Sequence, residues 1–213
     1  MLFEYTLVHW ATFFTAALLL NISPGPDMAF ILGQTARGGA RTGFSAMFGI
    51  WSGAFMHVLC AALGLSAIIA ASATAFAAVK WAGAAYLVWL GIQSLRSRGG
   101  SCAAEAEEGP ICLKSVYRQG VFVSLLNPKV AVFFLAFLPQ FVEPSAGPAG
   151  PQLFLHGLLI IAVAGLVEPP LILLGGRLTE KLKSSPTVSR WMDRSLGALF
   201  IGLGIKLALS DRT

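Results

Sequence analysis

The chain has 213 residues, 56% of them hydrophobic and 12% charged, with 15 Lys and Arg against 10 Asp and Glu. Soluble domains carry about one quarter charged residues. With a mean hydropathy of +0.74, this chain reads instead as an all-α polytopic membrane protein with a single transmembrane domain over residues 1–213. Its basic residues lie between apolar spans, which excludes a nucleic-acid-binding face. Cys60, Cys102 and Cys112 make neither a disulfide framework nor a metal-ligand spacing with His9, His57 or His156.

The first span is expected over residues 6–36. Glu4 stands where a leader would carry basic residues, and no small-residue cleavage site follows, so the span reads as retained. Its middle is NISPGPDMAF, residues 21–30. Proline lacks an amide proton and clashes with the preceding turn, so the helix is expected to break near Pro24. Residues 43–79 hold no Asp, Glu, Lys or Arg. At 1.5 Å per residue they extend more than about 50 Å, too long for one crossing of a core about 30 Å thick. Span two is therefore expected to turn near residues 70–75, with span three ending at Leu95. Within span two, GIWSG (Gly49 to Gly53) reads as a close-packing surface, first for helices inside the subunit and second for dimerisation. A polar connection over about 96–118 follows, then spans over 119–142, 153–176 and 195–210. The basic segment RLTEKLKSSPTVSRWMDR between the last two reads as lying on the lipid surface.

Arg37 and Arg41 follow span one. Arg96, Arg98, Lys114 and Arg118 lie between spans three and four. Arg177, Lys181, Lys183, Arg190 and Arg194 lie between five and six, and the opposite side has only Lys80, Lys206 and Arg212. The positive-inside rule makes the richly basic connections cytoplasmic and both termini external. LLLNISPGP in span one is echoed by SLLNPKV in span four, and KWAGAAYL in span three by RSLGALF in span six. With three spans per half (about 1–98 and 115–213), the second copy is inverted, a plan common among secondary transporters. Both breaks then lie about 15 Å from the cytoplasmic face, near the middle of the membrane.

Backbone freed by a break survives at that depth only inside protein or beside a wet cavity. The helix starting at Pro26 offers amides to a carboxylate, and the carbonyls before the break suit an ammonium. Asn21, Ser23, Pro24, Gly25, Pro26, Asp27, Asn127, Pro128 and Lys129 are thus candidate substrate-binding residues. The intramembrane ionisable residues Asp27, His57, Lys129 and Glu168 are candidates because burying them is costly. Asp27 reads as an acceptor of a proton or an ammonium, or as a helix cap; His57 as a proton relay or a packing residue. Lys129 reads as a partner of Asp27 or of a substrate carboxylate, or as a charge joining two helices. Glu168 reads as a proton carrier or a polar helix end. A membrane enzyme or redox carrier would show paired cysteines, a metal set or haem ligands. No catalytic residue, metal site or cofactor is expected.

SPGPDMAFIL, GARTGF, GIWSG, KWAGAAYLVWLGIQSLR, FVSLLNPKVAVFFLAFLPQF and LGALFIGLGIKLA, in this order, resemble the LysE/RhtB family of amino-acid exporters over nearly the whole chain. The resemblance implies a multi-pass protein of the bacterial cytoplasmic membrane that exports amino acids or their relatives. It further implies coupling to the proton motive force, and often a homodimer. It carries over to Pro24, Gly25, Pro26 and Asp27, to Asn127, Pro128 and Lys129, and to Gly83, Tyr86 and Gly91 as packing positions; His57 follows with less weight. Glu168 matches no family motif and rests on burial alone. The alternative is an exporter or channel for another solute, such as a metal cation.

Overall fold

The computed structural model describes residues 5–22, 25–65 and 111–174, together with isolated helical positions between 74 and 96 and between 194 and 205. Apart from those positions, the expected spans three and six lie outside the described residues. So do the 97–110 part of the connection, nearly all of the basic segment, and Ser23, Pro24, Gly83, Tyr86 and Gly91. Among the described residues, all regular structure is helical and no strand occurs.

Helix α1 (Leu7–Ile22) is largely apolar, with His9 near its start and Asn21 at its end. Helix α2 (Pro26–Cys60) restarts the chain from Gly25, whose extended backbone (φ −163°, ψ 179°) serves as N-cap, with Pro26 just inside. Pro there loses nothing, because a first-turn amide has no partner within the helix. The α2 range is two helices in series, because Gly38 and Gly39 leave helical geometry and Gly39 adopts φ 74°. The chain reverses at that point. A Cβ on Gly43 would overlap the Thr35 side chain, yet in an unbroken helix those residues would be about 12 Å apart along the axis. The expected interruption near Pro24 and the end of the first span after Ala36 are thus both present. A π-helical turn, Ala61–Leu65, extends the second part of α2.

Helix α3 (Leu113–Leu125) is followed by a break at Leu126 and Asn127, and helix α4 (Pro128–Val132) resumes at an angle of 52°. The chain continues as a π-helical turn, Phe133–Phe137, and a 3-10 turn, Leu138–Phe141. A second 3-10 turn, Pro144–Ala146, leads to helix α5 (Ala149–Leu173), which carries Pro169 and Pro170 inside its last turns. By length and composition the 149–173 and 26–64 segments each qualify to cross a membrane, although the reversal at Gly38–Gly39 divides the second. The bent pair Leu113–Leu125 and Pro128–Phe141 makes a third if taken as one span.

Two apolar clusters hold these elements. The larger joins α1 (Phe13, Ala16, Ala17, Leu20) to the end of α2, the 130–142 segment and α5. The smaller packs Ile31, Ala46, Met47 and Ile50 of α2 against Val116 and Ile172. GIWSG is the contact surface of α2 on α3: a Cβ on Gly49 would overlap the Tyr117 carbonyl oxygen, and one on Gly53 would lie 2.7 Å from both Val121 O and Ser124 Cβ. The small residues let two backbones of one subunit touch.

Candidate functional site

The two breaks meet. Asn127 Oδ1 accepts from the Lys129 amide (3.0 Å) and so caps α4, while Asn127 Nδ2 donates to Asp27 Oδ1 (2.8 Å) in the first turn after the other break. Lys129 reaches in the opposite direction. Its Nζ donates to the Leu20 carbonyl at 3.0 Å, at the end of α1 where unpaired carbonyls concentrate negative charge. A Cβ on Gly25 would lie 3.4 Å from that ammonium, so glycine leaves room for the lysine to cross the break. Asn21 Nδ2 donates to Ala17 O (2.8 Å) and Ile160 O (3.4 Å), tying the end of α1 to α5.

These groups surround a cavity of about 60 Å³, room for roughly four or five waters. Asn21, Gly25, Asp27, Asn127 and Lys129 form its polar side, and Ile50, Ala54, Phe134, Ile160 and Ala164 contribute apolar wall. Glu168 enters from α5, where it is 7% exposed, and accepts from Trp51 Nε1 at 2.7 Å. The indole lies against the α5 backbone at Gly165. Asp27 and Glu168 lie within electrostatic reach of each other, and Lys129 and His57 both act on Asp27. One small chamber therefore holds two carboxylates, an ammonium and a row of amides and carbonyls beside an aliphatic wall.

Of the residues singled out from sequence, Asn21, Gly25, Asp27, Asn127, Lys129 and Glu168 line this chamber. Pro26 and Pro128 shape the two helix starts without lining it. His57 also stays off the wall. Its Nε2 donates to Ser124 O at 3.3 Å and its ring stacks on Phe134, so it bonds the backbone just before the α3 break. Trp51 was hidden in GIWSG as one more packing residue. The signal was its own N–H, which needs a buried acceptor when the ring is apolar-packed. Among the described residues, no three His, Cys, Asp or Glu side chains gather as metal ligands would.

The model of the LysE type translocator family matches residues 18–211. The chain belongs to this family. It is 31% identical over 207 residues to the homoserine/homoserine lactone efflux protein of Salmonella typhimurium, covering 95% of this chain and 97% of that one. It is 27% identical over 212 residues to the leucine efflux protein of Klebsiella pneumoniae, covering 98% of each chain. An uncharacterized membrane protein of Vibrio cholerae is 31% identical over 199 residues, 93% of this chain and 96% of its own. No solved structure matches.

Proposed function

We propose that this LysE family translocator exports a neutral amino acid, or a close derivative, across the bacterial cytoplasmic membrane in exchange for protons. It moves the substrate without altering it. The observation that carries the reading is the joining of two mid-helix breaks, through Asn127 and Asp27, around one chamber with an ion-pairing side and an aliphatic side. A zwitterion needs both poles. Its carboxylate would meet Lys129 and the amides at the start of α2, its ammonium would meet Asp27 and the Leu20 carbonyl, and an aliphatic side chain would face Ile50, Ala54 and Ile160. Asp27 and Glu168 are the proton carriers in this scheme, and His57 supports the break. The relatives named for homoserine and leucine efflux favour a neutral substrate.

The architecture belonging to this function is six spans as an inverted three-plus-three repeat, with both termini outside. Two features support it: α1 with the start of α2, and α3 with the 128–141 segment, are each a helix interrupted beside a proline, and the end of the first lies against the start of the second at Gly38 and Ile111 while His9 and Phe13 lie against Phe141, so they run in opposite directions. Alternating exposure of the chamber would then carry substrate out as protons enter. The reading is tested in cells loaded with dipeptides of leucine, threonine, lysine or cysteine, with and without uncoupler. Selective, uncoupler-sensitive efflux of a neutral residue is expected, and Asp27→Asn should abolish it at normal membrane levels. Undiminished efflux in that variant would overturn the role of Asp27. Protection against a metal salt with no amino-acid efflux would overturn the substrate class.

A further inference from the structure

A second cluster of titratable side chains lies away from the chamber, where the beginnings of α1 and α5 meet. His9 Nε2 and His156 Nε2 are 2.9 Å apart. His156 is 1% exposed, and its Nδ1 bonds the Gln152 carbonyl at 2.8 Å. A carbonyl can only accept, so Nδ1 carries the proton and the neutral ring offers a bare Nε2 to an N–H from His9. The rings are held from both sides: Tyr5 stacks on His9 at 4.3 Å, Trp10 stacks on His156 at 5.4 Å, and Phe13 and Phe141 close the edges. Tyr5 OH donates to Gln152 Oε1, and Gln152 also bonds the backbone of Glu143 and Gly147. The whole set ties α1 to α5 and to the segment before it.

We propose that the His9–His156 pair is a proton-binding latch, which holds the ends of α1 and α5 together until both rings are charged. With no added proton the N–H of His9 bonds His156. With one, His9 takes the proton on Nδ1 and its Nε2–H is shared with His156 Nε2, and the stacked Tyr5 and Trp10 faces favour the resulting cation. A second proton leaves two N–H donors facing each other at that distance with no acceptor between them, and like charges repel. Among the described residues the titratable groups beside the pair are Tyr5, just before α1, and Glu143, which acts on Tyr5 from the segment before α5. The remaining neighbours, Trp10, Phe13, Phe141 and Gln152, carry no charge, nor do Val58, Ala61 and Ala62 at the end of α2. A first proton falls in the ordinary imidazole range near pH 6.5, while the second enters beside a charge and needs more acid, so the latch holds through the first step and releases at the second.

The two helices it joins are also walls of the chamber. Asn21 on α1 and Glu168 on α5 each lie about 18 Å along their helices from the pair, and Asn21 bonds α5 directly. Separation at the latch would therefore open the chamber toward that end. On the orientation proposed above this end faces outside, but the latch itself needs no transported substrate to be seen.

The chain has three histidines, so His57→Gln leaves only the pair for nitrogen-15 histidine spectra of the protein in lipid nanodiscs. Spin labels at Val8 and Ser145, both exposed, report the separation of α1 from the segment tied to α5, once the native cysteines are replaced by serine. Between about pH 8 and pH 5 both rings should take up protons in linked steps, and the label distance should lengthen by several ångströms. His9→Gln and His156→Gln should each keep the short distance at low pH, because an amide can bond either form of the remaining ring. An unchanged distance with both rings charged would overturn the latch. Absence of proton uptake down to pH 5 would overturn it equally.

Discussion

Asn127 splits its side chain between two tasks, and substitutions can separate them. Its oxygen caps α4 through the Lys129 amide, and its nitrogen holds Asp27. Asn127→Ala removes both and should lower thermal stability by about 1 kcal/mol, the usual cost of a lost N-cap. Asn127→Ser keeps a capping oxygen and should stay within a few tenths of a kcal/mol of the parent, but serine is too short to reach Asp27. A water in the chamber can take over the lost donation and spare stability, but Asp27 loses the bond that positions it, so efflux should fall roughly tenfold or more in both variants. Equal efflux in Asn127→Ser and the parent would show that the bond across the breaks does not serve transport. Asn127, Asp27 and Lys129 were legible in the sequence because polar residues beside prolines are conspicuous in an apolar run. Trp51 was not, because nothing local distinguishes an indole that packs from one that holds a carboxylate on another helix. His57 shows the converse: an ionisable residue inside a span is visible in sequence, but the face it takes is set by tertiary packing, which here turns it toward Ser124 and Phe134.

At the scale of elements, packing between α2 and α3 rests on glycines that meet backbone rather than flexible side chains. A Cβ on Gly49 would overlap the Tyr117 carbonyl, and one on Gly120 would lie 2.7 Å from Ala46 O and 3.2 Å from Gly49 Cα. Backbone cannot rotate aside, so Gly49→Ala and Gly120→Ala should each cost about 1–3 kcal/mol by forcing the helices apart. Gly33, on the first part of α2, has nothing within 4 Å of its Cβ position among the described residues. Gly33→Ala should be neutral, or stabilising by up to about 1 kcal/mol through helix propensity. Thermal unfolding in detergent checks the contrast, and equal losses at all three positions would contradict the close-contact account. The GIWSG spacing predicted such a surface, the prolines predicted where α2 begins, and the basic pair Arg37 and Arg41 marked where the first span ends. The π-helical turn over 133–137 had no sequence signal, since FFLAF is wholly apolar and its geometry follows from burial against α1 and α5, whereas Pro139 marks the 3-10 turn that follows.

The described helices also divide the molecule into two ends, and the charge pattern assigns a side to each. At one end lie the Gly38–Gly39 reversal, the start of α3 and the end of α5: a Cβ on Gly38 would lie 2.7 Å from Ile111 Cδ1, and one on Gly43 would lie 3.0 Å from Ile172 Cγ2. Arg37, Arg41, Lys114 and Arg118 gather there. At the other end lie Tyr5, the 142–148 segment and the start of α5, joined through Gln152. If the positive-inside rule governs this chain, the first end is cytoplasmic. Cys112 is exposed at that end, and Ser145 is exposed at the other. Two single-cysteine variants therefore decide the matter, one keeping only Cys112 and one carrying only Ser145→Cys. A membrane-impermeant thiol reagent added to intact cells with a permeabilised outer membrane should label position 145 and spare Cys112, and everted vesicles should reverse the pattern. The opposite result would invert the whole scheme. The latch would then sense cytoplasmic acid, and the basic end would face outward. Labelling of both positions from one side would show instead that an even number of crossings, or none, lies between residues 112 and 145, and the inverted repeat would fall with it.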